Sequence, residues 1–169
     1  MKKVKLLILG KSNVGKSSLI NHLTQSHISL VSNKIHATRL STFYEFKLND
    51  VLIQFIDTPG ISISDNNLLS KAMKSSALKH SANCDLIILL TQLQDSYDYE
   101  LALMEDIYFS NKPYIICVNK IDQEKNIKYT TLLEQELNTQ DYSMISIKEN
   151  IGIDAFTNDL LSKIESIDD

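Results

Sequence analysis

The sequence predicts an α/β fold: a six-stranded, mostly parallel sheet with one antiparallel hairpin strand and helices on both faces. Three observations carry that expectation. Short, continuously apolar runs alternate along the chain with segments of helical periodicity, the pattern of a parallel sheet covered on both sides. The stretch Gly10-Lys11-Ser12-Asn13-Val14-Gly15-Lys16-Ser17-Ser18 has the spacing G-x-x-x-x-G-K-[ST] and lies between such a run and such a segment. Asn49-Asp50 separates two strand-like runs, the sign of a hairpin.

Each element can be justified in turn. Val4-Lys5-Leu6-Leu7-Ile8-Leu9 reads as a buried strand, and Ser18-Leu19-Ile20-Asn21-His22-Leu23 as a helix. Residues 25–40 are polar and without period, and read as a long loop of the kind that tends to be functional. Residues 41–48 alternate imperfectly, and Val51-Leu52-Ile53-Gln54-Phe55-Ile56 completes the hairpin. After a polar loop, 66–81 reads as a helix with Leu69, Met73, Ala77 and His80 on one face. Leu86-Ile87-Ile88-Leu89-Leu90 is a strand buried on both sides. Residues 97–110 read as a helix with Leu101, Met104 and Tyr108 on one side, stopped by Asn111-Lys112-Pro113. Tyr114-Ile115-Ile116-Cys117-Val118 is the next strand. A helix over 128–138, a last strand over 143–146 and a closing amphipathic helix over 152–164 follow.

Composition narrows the class. A chain of 169 residues fits a single domain over 1–169, large enough to fold without a metal or disulfide staple. A net charge of −4 argues against a free-standing nucleic-acid binder, which needs clustered Lys and Arg. It does not argue against a local nucleotide site. Arg39 is the one arginine among seventeen basic residues. Cys84 and Cys117 have no metal-ligand spacing, and Cys117 sits in an apolar run, which fits a reducing, cytoplasmic setting. No stretch reaches the roughly twenty apolar residues of a membrane helix.

The chemistry is expected at the strand ends, where ligands of such sheets bind. In the glycine loop, successive amides and the start of the following helix point at an anion. Lys16 adds a point charge at the phosphates, and the Ser17 hydroxyl is a hard oxygen suited to Mg²⁺. Asp57-Thr58-Pro59-Gly60 ends the hairpin strand; its carboxylate can hold Mg²⁺ and the Gly60 amide can approach a terminal phosphate. Asn119-Lys120-Ile121-Asp122 ends another strand. The Asp122 carboxylate offers acceptors to the N1–H and N2–H₂ of guanine, which adenine cannot match. Lys120 can lie along the base, and Asn119 can tie this loop to the phosphate loop. Ser146-Ile147-Lys148 ends the last strand, where the Ile147 amide could reach guanine O6, although a generic strand-end loop explains this tripeptide nearly as well.

The order and spacing of these motifs resemble the GTPase superfamily of translation factors, and within it the Era family. Gly10 to Ser18, Thr38-Arg39, Asp57 to Gly60, Asn119 to Asp122 and Ser146 to Lys148 correspond to its five guanine-nucleotide motifs. The stretches around 69–73 and 85–88 also resemble Era. The resemblance implies a Ras-like G domain that binds GTP and GDP with Mg²⁺. Ser12, Asn13, Val14, Gly15, Lys16, Ser17, Ser18, Asp57 and Gly60 would lie at the phosphates and metal, and Asn119, Lys120, Asp122, Ser146, Ile147 and Lys148 at the base. It makes Ser17, Thr38 and Asp57 the metal ligands, and Lys16, Thr38, Gly60 and Asn13 the residues that bear on hydrolysis; Thr38 alone would read as a solvated loop residue.

Ile61 follows where many small GTPases have a water-orienting glutamine. In several members of that hydrophobic-substituted branch an asparagine at the position of Asn13 helps bind K⁺; a hydrogen bond within its own loop is the other reading of Asn13. The implied role is a slow GTPase switch linked to ribosome assembly, with the ribosomal subunit or another RNA–protein assembly as partner. A non-catalytic guanine-nucleotide module, and a G domain of the related tRNA-modification or ribosome-assembly proteins, are the alternatives. Era proteins carry a C-terminal RNA-binding KH domain, and this sequence reaches Asp169 where that domain would begin, so independent RNA binding is not carried over. Ile147 stands in place of the family's usual alanine, and Ala37 where Era often has threonine.

Overall fold

A computed structural model describes residues 2–11, 13–27, 30–35, 42–57, 83–124 and 126–167. Its strands are β1 (Lys2–Leu9), β2 (Leu30–Ile35), β3 (Thr42–Leu48), β4 (Val51–Asp57), β5 (Leu86–Gln92), β6 (Tyr114–Asn119) and β7 (Ser143–Met144). The helices among the described residues are α1 (Lys16–His27), α2 (Asp98–Ser110), α3 (Ile127–Glu136) and α4 (Ile153–Glu165). The sheet order is β2-β3-β4-β1-β5-β6-β7. Among the described strands, only β3 runs against the others: it pairs antiparallel with both β2 and β4, and the remaining neighbours are parallel.

The alternation of side chains along the central strands explains the two faces. Val4, Leu6 and Ile8 of β1, with Leu86, Ile88 and Leu90 of β5, pack with Leu19 and Leu23 of α1 and Phe156, Leu160 and Ile164 of α4. Leu7 and Leu9, with Ile87 and Leu89, pack on the opposite side with Leu103 and Ile107 of α2 and Leu133 of α3. Residues 6–9 of β1 and 86–90 of β5 are apolar at every position and buried on both sides. At roughly 25 cal/mol per Å² of apolar surface, these two layers are the main favourable term in folding.

All six expected strands are present, the antiparallel one among them. Among the described residues the sheet nevertheless has seven strands, because 30–35, read as part of a loop, is a strand. Helix α1 continues to His27, and Leu30–Ile35 pairs with β3 at the sheet edge, with a register shift between Leu30 and Ser32. An edge strand needs only one neighbour for its backbone, and the sequence of 30–35 has no alternation, so it gave no strand signal. The last strand is shorter than expected, ending at Met144. The buried face of α2 is also shifted. Leu103, Met104 and Ile107 are buried beside Glu100, whereas Leu101 and Tyr108 are exposed. Glu100 takes an inward position because the buried Thr91 hydroxyl donates to its Oε2 at 3.1 Å. The helix expected over 66–81 lies outside the described residues.

Candidate functional site

The carboxyl ends of the central strands meet at one edge of the sheet. In register, Ile8 pairs with Asp57, Leu9 with Leu89, Gln92 with Asn119, and Val118 with Met144. The glycine loop after β1, the end of β4, the 119–122 turn and the 146–148 turn are therefore neighbours, as the motifs required.

The glycine loop turns through Asn13, at φ 66°, and Gly15, at φ 108°. Gly15 must be a glycine on two counts. Its φ lies in the left-handed region, and a Cβ there would fall 2.5 Å from Asn119 Nδ2. Val14 is buried beneath the loop, and the Gly15 carbonyl accepts the first α1 hydrogen bond, from Leu19 N–H at 2.8 Å. Lys16, Ser17 and Ser18 form the first turn of α1, with Ser17 and Ser18 exposed. The start of the helix, with its positive dipole end, thus opens on the loop. At the loop's entry, the Lys11 ammonium lies 5.7 Å over the Tyr99 ring of α2.

Asn119 joins this loop to the next. It is 4% exposed, with both ends of its amide engaged. Nδ2 donates to the Val14 carbonyl at 2.9 Å, and Oδ1 accepts from the Ile147 N–H at 3.1 Å. One buried side chain therefore fixes the glycine loop, the end of β6 and the 146–148 turn relative to one another. Lys120, at φ 63°, donates from Nζ to the Asn13 carbonyl, a second tie between the same loops. The Ser146 hydroxyl donates to Asp122 Oδ1 at 2.6 Å and accepts from the Glu149 N–H at 3.1 Å. Ser146 itself is fully buried and pairs in both directions with Ile151, each bond 2.9 Å. The Asp122 carboxylate is held in orientation by that hydroxyl.

Sequence reasoning anticipated the Asn119 tie. It did not anticipate the Lys120–Asn13 bond or the Ser146–Asp122 bond, because both need a side chain to cross between turns far apart in sequence. The Ile147 N–H, expected to reach guanine O6, donates to Asn119 Oδ1 in this structure. The buried asparagine amide needs an acceptor and a donor partner to avoid an orphaned polar group, and the Ile147 amide is the donor it finds. Asp57 ends β4 beside β1, where the sequence put it. Ser12, Thr38, Arg39 and Gly60 lie outside the described residues.

Residues 5–120 match the family model described as a 50S ribosome-binding GTPase. The chain is 33% identical over 175 residues to GTPase Era of Campylobacter fetus subsp. fetus, covering 97% of this chain and 56% of that protein. Among solved structures it is similar to a single-residue variant of Aquifex aeolicus Era bound to GDP·AlF₄⁻, with a TM-score of 0.71, 25% identity, and coverage of 100% of this chain and 58% of that one. It is likewise similar to Era in complex with MgGDPNP and nucleotides 1506–1542 of 16S ribosomal RNA, with a TM-score of 0.72, 26% identity, and coverage of 100% and 58%. The chain spans about half the length of the curated relatives it matches.

Proposed function

Because the chain belongs to the family of 50S ribosome-binding GTPases, we propose that residues 1–169 act as one guanine-nucleotide unit that hydrolyses GTP slowly and serves as a switch in ribosome assembly in the cytoplasm. The observation that carries this reading is the Asn119 tie. It joins a loop suited to phosphates to a loop whose carboxylate suits guanine, so one ligand with both parts would bridge them.

Each residue has a role in that reading. The amides of Asn13 to Ser18 and the Lys16 ammonium take the phosphates, where preorganised donors act on charge that develops during transfer. Asp122, oriented by Ser146, accepts from the base, and the Lys148 region closes over it. The donors fit a divalent ion: Ser17 offers an exposed hydroxyl in the first turn of α1, and Asp57 ends β4 opposite Ile8. Thr38 would complete the set with these two. Mg²⁺, which the relative with MgGDPNP carries, would neutralise charge on the phosphates. The Gly60 amide would meet the terminal phosphate. Ile61 cannot orient water, and the positive charge that an arginine finger would supply we assign to K⁺ held near Asn13.

The partner in this reading is a ribosomal subunit, in line with the ribosomal RNA bound by one relative. Phosphate release measured in KCl and in NaCl at matched ionic strength, with and without ribosomal subunits, tests the proposal. Slow turnover, faster in KCl and faster again with subunits, is expected. Equal rates in both salts would remove K⁺ from the mechanism. Tight GDP binding with no turnover under any condition would instead make the chain a non-catalytic module.

A further inference from the structure

The first half of β6 has a strand beside it on one side only. Backbone groups of a parallel strand face its two neighbours at alternate residues. The Ile87 N–H donates to the Pro113 carbonyl at 3.0 Å, which sets the phase: Ile115 and Cys117 face β5, and Tyr114, Ile116 and Val118 face the other way. Val118 meets the last strand there, its carbonyl accepting from the Ile145 N–H at 2.7 Å. But β7 is two residues long and begins at Ser143, opposite Cys117. Among the described residues no strand stands beside Tyr114 and Ile115 on that side, so the Tyr114 N–H and C=O and the Ile116 N–H look into a groove. The groove has a volume of about 780 Å³, within the range of ligand sites. One wall is α4, with Ser162 and Lys163, and the other is the turn before β7, with Tyr142. Both walls are braced. The Tyr142 hydroxyl donates to Glu134 Oε1 at 2.9 Å, and the Ser143 hydroxyl donates to Asp159 Oδ2 at 3.3 Å. The charges are sorted as well: Lys112 and Lys163 are half-buried in the lining, whereas Asp141 and Asp159 are exposed.

We propose that this groove takes an extended peptide segment of a partner protein, which adds as a strand in line with β7, pairs with the open edge at Tyr114 and Ile116, and presents a carboxylate to Lys163. A donor, an acceptor and a second donor, spread over roughly 6–7 Å of strand, are met in turn by the backbone of another strand. Main-chain pairing of this kind supplies affinity, and alternate side chains supply choice. The Ile115 side chain packs with the layer that holds α4, and Tyr114 with the opposite layer. Successive side chains of the added strand therefore meet Lys163 on one wall and Tyr142 on the other, which suits a segment that alternates acidic with apolar residues. The groove lies at the amino ends of β6 and β7, the edge of the sheet opposite the glycine loop, so the inference does not depend on the guanine-nucleotide reading.

The test is NMR of the isotope-labelled chain titrated with an acetylated heptapeptide that alternates glutamate with valine, and with a lysine–valine counterpart. The glutamate peptide is expected to shift the Tyr114 and Ile116 amides and to slow their exchange with solvent. N-methylating the peptide at each position in turn leaves the protein untouched. It is expected to weaken binding about tenfold at every second amide and less than about twofold at those between, the mark of a ladder. Lys163→Glu is expected to weaken the glutamate peptide about fivefold and to favour the lysine one. No shift at these two amides with either peptide at about 1 mM, or equal sensitivity to N-methylation at every position, would overturn the proposal. Protection of the same amides that grows with protein concentration in the absence of peptide would overturn it too, and would give this edge to a second copy of the chain.

Discussion

Asn119 is the residue on which most of the site depends. Removing its amide leaves the Val14 carbonyl and the Ile147 N–H without their partner, and an orphaned buried group costs about 1–3 kcal/mol. Asn119→Ala is therefore expected to lower the unfolding free energy by about 2–4 kcal/mol in urea titrations and to weaken GDP uptake by about a hundredfold. Full affinity in a folded Asn119→Ala protein would show that the two loops are not held by this side chain. Asp122→Asn should weaken GDP and favour xanthine nucleotides, whose ring edge has a carbonyl in place of the amine; competition binding with XDP reads this, and unchanged GDP affinity would place base recognition elsewhere. The tetrapeptide 119–122 and the glycine loop were legible because their chemistry depends on spacing within one turn. The Ser146 bond to Asp122 was not, because it joins turns brought together only by the β6–β7 pairing. The turns at Asn49 and Asn111 were read from their asparagines, whereas Asn13, Asn138 and Asn150 also occupy left-handed positions that glycine commonly fills, in a chain with only four glycines.

Among the elements, α2 gives the sharpest test of the packing. Two apolar stripes are available on it, and the sheet takes the one through Leu103, Met104 and Ile107. Leu103→Ala is expected to cost about 2–5 kcal/mol, whereas Leu101→Ala should stay within about 0.5 kcal/mol. Urea melts of the two variants separate the faces, and equal losses would contradict the described orientation. The helix was legible as a helix, but its rotation was not, because the deciding residue is polar. Glu100 turns inward to meet Thr91, a pairing that hydrophobic periodicity cannot report. For the same reason β2 was invisible: its pairing with β3 is made by backbone groups, and its side-chain pattern of Leu-Val-Ser-Asn-Lys-Ile has no alternation. By contrast β1, β5 and β6 were plain, since the part of a strand covered on both faces reads as a continuous apolar run, as 6–9, 86–90 and 114–118 do.

At the scale of the whole molecule, burial raises the same kind of group repeatedly. The Cys84 thiol is pushed up from 9.0 to about 11 by burial, and Cys117, deeper still, is pushed up further. Burial, reinforced by neighbouring hydroxyl or carboxyl groups, pushes the Tyr114 and Tyr142 phenols up from 10.0 to about 12. Each group keeps its proton in the folded chain at a pH where the unfolded chain has lost it. The stability this represents is complete below about pH 9 and is lost as pH rises toward 11–12. Urea midpoints should thus be flat from pH 7 to 9 and fall steeply by pH 11, and Cys84→Ala should blunt the fall; a midpoint unchanged at pH 11 would contradict it. The convergence of strand ends at one sheet edge was the most legible feature of all, because right-handed crossovers between parallel strands leave little freedom in where those ends lie.

The central claim is that those strand ends form one cradle for a guanosine polyphosphate and its divalent ion. Isothermal titration calorimetry of the purified chain with GDP and with ADP, each with excess Mg²⁺, tests it most directly. One GDP per chain with no heat from ADP is the predicted result. Equal binding of the two nucleotides, or no binding of either by folded protein, would contradict it.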